Sequence, residues 1–230
     1  MQITNIEAKT LPEVWYQCIR QLVWTNITTK NELMLKTLAP GTHSYTIDKG
    51  SFKGQRRLEF DYVVLHIEYP GSKPIVPDVP VGCPAPCTME YIENYLPYLM
   101  AGVKTENEDY TYGQDLWKQI PEVIRTYKED GYNQNQAFMA VGNADSLKLH
   151  DPQCLRMIDT RIQDNKLHFQ VYFRSWDLWG GLPGNLGGIQ CLKEYMASEI
   201  GVEDGEIIAC SKGLHLYEYS WKYANQVLRR

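Results

Sequence analysis

Two neighbouring runs of alternating apolar and polar residues, 155–163 and 167–174, limit how this chain can fold more than any other feature of its sequence. Alternation with a period of two is typical of strands that bury one face. The runs are joined at Asp164-Asn165-Lys166, a short polar junction of the kind that closes a hairpin. The sequence therefore predicts an antiparallel pair of strands at this point.

Helical and extended segments on both sides of the hairpin predict one mixed α/β (α+β) domain over residues 1–230. Thr10-Leu11-Pro12-Glu13 has the form of a capping box and opens a helix. Further helices are predicted at 88–100, 115–129 and 186–200, the last capped by Asn185, and a short helix closes the chain; strands are predicted at 60–69, 137–141, 206–210 and 214–219, and loops at 40–57 and 71–86. We expect the helices to cover a largely antiparallel or mixed sheet.

Charge and composition exclude several classes of protein. The net charge of −5 argues against a non-specific hold on nucleic acid. The sequence shows no signal peptide and no run of about 18 apolar residues, so we expect a cytoplasmic protein that does not span a membrane. Six cysteines are too few for a disulfide scaffold. Cys83 and Cys87 lie in a proline-rich stretch without a second ligand pair, and we predict no metal site there.

The most distinctive string runs from Phe173 to Asn185 and joins a strand end to a helix. It delivers Arg174, Ser175 and Asp177 within four residues, before a glycine-rich turn. Arginine side chains and helix N-termini both favour anions, which suggests a phosphate near Arg174 and Ser175. The glycines do not fit a dinucleotide-binding fingerprint, and a structural turn before a capped helix remains the alternative.

This string resembles the signature of the thymidylate synthase family, R-S-x-D-x-x-x-G-x-P-x-N. The matching residues are Arg174, Ser175, Asp177, Gly181, Pro183 and Asn185. Three further segments match in the family's order: Cys154 after Asp151-Pro152-Gln153, His215-Leu216-Tyr217, and Tyr112-Gly113-Gln114 followed by Trp117. The resemblance covers residues 88–219 and implies a thymidylate synthase-like layered fold.

The resemblance implies a role for each matching residue. Cys154 would add as a thiolate to C6 of a uracil ring, with Arg174 as activator and phosphate ligand. Ser175 would hold the phosphate, Asn185 the pyrimidine edge, and His215 with Tyr217 the deoxyribose hydroxyl. Asp177 and Gly181 would contact a pterin. Glu93 would handle protons around O4, with Glu90 as its competitor, and Tyr112 would assist removal of the C5 proton.

The implied reaction converts dUMP to dTMP in a homodimer. Methylene-tetrahydrofolate or methylene-tetrahydromethanopterin would supply the carbon and the hydride, and no metal is implied. The sequence is similar to the short, divergent members found in archaea. A pyrimidine nucleotide 5-hydroxymethylase of the same fold and a non-catalytic nucleotide-binding homologue are the alternatives.

Several positions depart from the family's pattern. Gln153 and Leu155 flank the cysteine in place of proline and histidine, and Ser220 stands where a histidine is expected. Residues 133–136 lack the arginine pair that reaches the partner's phosphate, so either Lys53, Arg56, Arg57 or Arg156 compensates or the nucleotide is held differently. Gly184 replaces an aromatic residue before Asn185, and the chain ends at Arg230 without the long segment that closes over the cofactor.

Overall fold

A computed structural model of the chain describes residues 1–23, 38–104 and 110–229. The strands are β1 (Ile3–Ala8), β2 (Thr42–Thr46), β3 (Arg56–Phe60), β4 (Tyr62–Ile67), β5 (Phe138–Ala140), β6 (Leu155–Gln163), β7 (Lys166–Phe173), β8 (Trp176–Asp177), β9 (Glu203–Ser211) and β10 (Leu214–Tyr217). The α-helices are α1 (Leu11–Val23), α2 (Met89–Met100), α3 (Gly113–Asp130), α4 (Gly181–Ile200) and α5 (Trp221–Leu228), with short 3₁₀ turns at Ala144–Lys148 and Glu218–Ser220.

The described strands form two sheets. The larger has the order β1-β4-β9-β7-β6-β5, and the smaller has the order β2-β3-β10-β8. Both mix parallel and antiparallel pairs, with β1–β4, β7–β9 and β10–β8 parallel. Helices α1 and α4 pack on one face of the larger sheet. The predicted mixed α/β fold is therefore confirmed.

The predicted hairpin is present as β6 and β7. Asp164 and Asn165 adopt left-handed backbone conformations, with φ of 52° and 60°. Two such residues in succession make the tight turn that suits the twist of antiparallel strands, and Asn and Asp tolerate this region better than most residues. The hairpin brings residue 154, just before β6, beside residue 174, just after β7.

Two predictions on the segment before residue 70 are wrong. Residues 60–69 are not one strand, because Asp61 separates β3 in the smaller sheet from β4 in the larger one. The Asp61 carboxylate accepts from the Gln2 backbone N–H at 2.9 Å and contacts the His43 ring at 2.9 Å, which fixes this break. Residues 40–57 are not all loop, since they contain β2 and the start of β3. Strand β2 is half-exposed and polar, so it carries no alternating signal.

The start of α4 also differs from the prediction, because the helix begins at Gly181 and Asn185 lies inside it. Its glycines lie where α2 crosses. A Cβ at Gly184 would lie 2.6 Å from the Tyr91 ring, and one at Gly188 would lie 2.6 Å from the Tyr95 ring. The missing side chains let α2 approach α4 closely. Tyr91 thus fills the space of the aromatic residue expected at position 184.

The remaining predicted elements are found close to their expected bounds. The Thr88 hydroxyl caps α2 by accepting the Tyr91 backbone N–H at 3.1 Å, and the Thr10 hydroxyl accepts the Glu13 N–H at 3.3 Å. No helix within the described ranges is long and apolar enough to cross a membrane. Over the same residues, no three His, Cys, Asp or Glu side chains cluster as metal ligands would.

Candidate functional site

Cys154 and Arg174 meet at the open end of the β6–β7 hairpin. The Arg174 backbone N–H donates to the Cys154 carbonyl at 2.8 Å. Its guanidinium folds back over the segment before the cysteine, donating through Nε to the Gln153 carbonyl at 3.1 Å and through Nη2 to the Pro152 carbonyl. Asp151 lies 3.6 Å from the same Nη2. Arg174 is thus held beside the thiol, and its Nη1, which has no hydrogen-bond partner in the described part of the chain, can bind a ligand.

The Cys154 thiol lies among groups with opposite effects on its acidity. Burial raises the pKa of the thiol above its usual value, and the negative charge of Asp151 adds to the increase. The Arg174 guanidinium and a hydrogen bond with the Tyr110 hydroxyl lower the pKa. Arg174 therefore acts in the expected direction, but burial outweighs it, so the thiol of the free protein is less acidic than the sequence suggested.

A cavity of about 420 Å³ opens beside α2 and the start of α4. Its lining residues are Tyr91, Asn94, Tyr95, Tyr98, Tyr112 and Asn185. The Tyr112 hydroxyl accepts the Leu155 backbone N–H at 3.3 Å, which links the cavity wall to the residue after Cys154. Burial keeps the pKa of Tyr112 well above its usual value, so this side chain carries its hydrogen and can donate it.

Asn185 is fixed by two side chains as it enters this cavity. Its Oδ1 accepts from the Trp176 indole N–H at 3.0 Å, and its Nδ2 donates to the Tyr95 hydroxyl at 2.8 Å. The second N–H of the amide has no partner within the described ranges and is available to a ligand.

Asp177 binds the backbone of the turn that leads into α4. Its Oδ2 accepts from the backbone N–H groups of Gly180 and Gly181 at 3.0 Å each, and its Oδ1 accepts from Trp179 at 3.2 Å. The Gly180 and Gly181 N–H groups at this helix start are therefore already occupied and do not hold a phosphate. Burial raises the Asp177 pKa, although the three donors oppose this effect.

His215 and Tyr217 lie on β10, facing Arg57 and Glu59 of β3. Arg57 donates to the Tyr217 hydroxyl at 3.0 Å. His215 is buried, and burial together with the positive charge of Arg57 lowers its pKa to about 3. It is therefore neutral, so its 3.7 Å approach to Glu59 is not an ion pair. Its Nδ1 donates to the Gly213 carbonyl at 2.8 Å, which leaves Nε2 as an acceptor without a partner among the described residues.

Comparison of the sequence with known proteins identifies its family. The thymidylate synthase family profile matches residues 98–230. The chain belongs to the thymidylate synthase family. It is 27% identical to a protein named "putative thymidylate synthase" from Methanosarcina mazei, over 97% of this chain and 94% of that protein. A protein of the same name from Methanosarcina barkeri is 30% identical over 61% of this chain and 67% of its own length.

A third relative with that name, from Methanothermobacter thermautotrophicus, is 28% identical over 61% of this chain and 65% of its own length. All three relatives are archaeal. The family and the resemblance to archaeal members are thus confirmed, whereas the roles of individual residues remain predictions.

Not every residue predicted from the family signature is brought to the cavity. Glu93 is exposed and lies on the far side of α2 from the cavity-lining tyrosines, near Cys191. The burial expected for a proton-handling glutamate is absent there, and Glu90 is exposed as well. Ser175 is half-buried between Arg174 and Trp176. The polar side chain that α2 does place in the cavity is that of Asn94.

Several site residues were missed from the sequence, and three of them contact a residue that was predicted. Tyr110 contacts Cys154, and Tyr95 holds Asn185. Glu59 contacts His215 and accepts a hydrogen bond from the Tyr45 hydroxyl. Tyr110 stands two residues before the matched segment that begins at Tyr112, and that proximity was the one available signal. Tyr95 looked like a core residue of α2, and Glu59 sits inside a strand, so neither stood out.

Proposed function

We propose that this chain is a thymidylate synthase that methylates dUMP to dTMP, using a methylene-tetrahydropterin of the folate or methanopterin type. The observation that carries the proposal is the meeting of Cys154 and Arg174 beside a tyrosine-lined cavity that presents Asn185. Six cysteines without disulfides, including Cys154, agree with a cytoplasmic location.

Cys154 would act as the nucleophile. Its thiolate attacks C6 of the uracil ring, a bond forms between Sγ and C6, and the electron pair of the C5–C6 double bond moves toward O4. C5 thereby becomes nucleophilic. Because burial raises the thiol pKa in the free protein, formation of the thiolate depends on Arg174 and on the hydrogen bond from Tyr110.

The negative charge that develops on O4 would meet hydrogen-bond donors. The free N–H of Asn185 and the hydroxyls of Tyr95 and Tyr112 line the cavity. Donors that are held in place before the reaction stabilise developing charge most effectively, because they need no reorganisation. This support for the proposal does not require Glu93.

The sugar and the phosphate would lie towards β10. The unpartnered Nε2 of His215 is an acceptor, so it suits a ribose hydroxyl, which can donate a hydrogen. Nη1 of Arg174 and the Ser175 hydroxyl would hold the phosphate. Of the four basic residues that could replace the missing arginine pair, Arg57 has a positive charge that acts on Cys154, Asp177 and His215. Arg56 instead pairs with Glu218 and covers Trp221.

The pterin, when bound, supplies the one-carbon unit and the hydride. The described residues fit a planar ring, since Tyr91, Tyr95 and Tyr98 form a stacked row along the cavity, with centroids 6.0 and 5.4 Å apart. Asp177 fits only in part, because its Oδ2 already accepts two backbone donors and Oδ1 accepts one. We therefore expect at most one direct bond from the pterin to Asp177, at Oδ1.

Product analysis tests the proposal. The protein is incubated with dUMP or dCMP and with either methylene-pterin. The nucleotides are then separated, and their masses are measured by mass spectrometry. We expect dTMP from dUMP, its loss in Cys154→Ala, and its retention in Cys191→Ala, a half-buried cysteine on α4 outside the site. A 5-hydroxymethylated product alone would indicate the hydroxymethylase instead. No product with any combination would favour the non-catalytic homologue.

A further inference from the structure

The base specificity of this cavity depends on an atom outside it, and this inference rests on the proposed function. We propose that Trp176 is a specificity-determining positioning residue: its indole N–H locks the Asn185 amide in the orientation that admits uracil and excludes cytosine. Trp176 is not among the cavity-lining residues. It acts on the ligand through Asn185.

Trp176 is itself held rigidly. The ring is 2% exposed and stacks on Phe173, with centroids 4.1 Å apart and planes 7° apart. Its backbone pairs with Leu214 in the smaller sheet, and its backbone N–H donates to the Gly213 carbonyl at 2.8 Å. The indole Nε1 therefore has one fixed position relative to the start of α4.

An indole nitrogen can only donate, and this decides the orientation of the amide. The atom of Asn185 that faces Nε1 at 3.0 Å must be the oxygen, so the Nδ2 group points to Tyr95 and the cavity. A flipped amide would set two donors against each other in a buried place. Tyr95 imposes no such choice, because a hydroxyl can either donate or accept.

The fixed amide discriminates between pyrimidines at the 4-position. Uracil carries a carbonyl there, which accepts a hydrogen bond from the free N–H of Asn185. Cytosine carries an amino group, whose hydrogens would face that N–H without an acceptor. A buried donor left without an acceptor is strongly disfavoured.

The substitution Trp176→Phe removes the N–H and keeps a ring that can stack on Phe173. Binding of dUMP and of dCMP is measured by isothermal titration calorimetry without pterin, on the folded protein. We expect the ratio of the dCMP Kd to the dUMP Kd to fall by about tenfold in this variant, because the amide can then flip. Trp15→Phe is the matched control, since Trp15 also donates one buried indole N–H, to the Trp179 carbonyl at 3.1 Å, and the ratio should not change.

Tyr95→Phe supplies a second arm that does not require Trp176→Phe to fold. It removes the other contact of the amide but leaves the indole in place, so dUMP affinity should fall while the ratio is retained. An unchanged ratio in Trp176→Phe, or a collapsed ratio in Tyr95→Phe, would overturn the inference. These results differ from failure of the proposed function, in which the wild-type protein binds dUMP but forms no dTMP; a wild-type protein that binds no dUMP would overturn both.

Discussion

Cys154 combines an ordinary position in the chain with an unusual electrostatic setting. It precedes a buried strand, which desolvates the thiol, and Asp151 opposes its ionisation. Arg174 and the Tyr110 hydroxyl favour the thiolate. The nucleophile proposed here is therefore balanced between groups that can be altered one at a time.

Two charge substitutions should shift this balance in opposite directions. Arg174→Gln removes the cation and should raise the pH midpoint of Cys154 alkylation by about one unit, whereas Asp151→Asn should lower it. The measurement is the rate of iodoacetamide labelling of the Cys154 peptide against pH. Lys148→Gln, an exposed charge change outside the site, is the control. Shifts of the same sign in both variants would contradict this electrostatic account.

His215 should make the stability of the protein depend on pH. Its pKa is about 3 in the folded protein, against 6.5 ordinarily, so only the unfolded chain takes up a proton between these values. The contribution of His215 to stability is complete above pH 6.5 and decreases by up to about 1.4 kcal/mol per pH unit below it. Urea unfolding at pH 7, 6 and 5 should show wild type losing stability relative to His215→Gln. A difference that does not vary with pH would contradict this.

The sequence locates most of the side chains that meet at the site, because the family motif preserves their spacing. It could not show which hydrogen bonds those side chains already make within the protein. The Asp177 carboxylate accepts three backbone hydrogen bonds around the start of α4. The Arg174 guanidinium donates to two backbone carbonyls. Such contacts depend on a helix start and a loop path that only the folded chain defines.

At the level of elements, the pairing of α2 with α4 decides where the cavity lies. The sequence predicted a turn at the glycine-rich start of α4, because glycine disfavours helices in isolation. In the folded protein these glycines admit the rings of Tyr91 and Tyr95. Tertiary packing thus overrides local propensity at this helix. The hairpin, by contrast, was predictable because its alternation and its turn residues agree.

Replacing one of these glycines tests the packing. Gly188→Ala places a Cβ 2.6 Å from the buried Tyr95 ring, so we expect it to destabilise the protein by about 1–3 kcal/mol. In an open helix the same change stabilises by roughly 0.5–1 kcal/mol. Ser198→Ala, on the exposed side of α4, is the control and should be neutral or slightly stabilising. Denaturant unfolding measures both variants, and a stabilising Gly188→Ala would show that α2 does not pack as described.

The whole molecule presents one sheet face without a helical layer among the described residues. Alternate side chains of the central strands point to this face and are only half-buried: Val64 of β4, Ile208 and Cys210 of β9, and Tyr172 of β7. Polar side chains, among them the paired His66 and Glu206, share this face with them. Half-buried apolar side chains on an uncovered sheet face favour association with a second copy. It supports the homodimer implied by the family resemblance.

A single charge in this face should prevent assembly. We expect the wild type to sediment as a dimer and Ile208→Glu to sediment as a monomer, because a carboxylate would be buried in the apolar contact. Leu147→Glu, at a residue 85% exposed in a 3₁₀ turn, should remain a dimer. A monomeric wild-type protein would contradict both the dimer and the shared site that the family resemblance implies.

The central claim, that Cys154 is the nucleophile of a thymidylate synthase, is tested most directly by trapping its bond to the nucleotide. The protein is mixed with 5-fluoro-dUMP and a methylene-pterin, denatured and digested, and the masses of its peptides are measured by mass spectrometry. Fluorine replaces the C5 hydrogen that must leave, so the complex should persist as a ternary adduct on the Cys154 peptide. We expect this adduct in the wild type and none in Cys154→Ala. A wild-type protein without an adduct on either pterin, or an adduct that survives Cys154→Ala, would contradict the account.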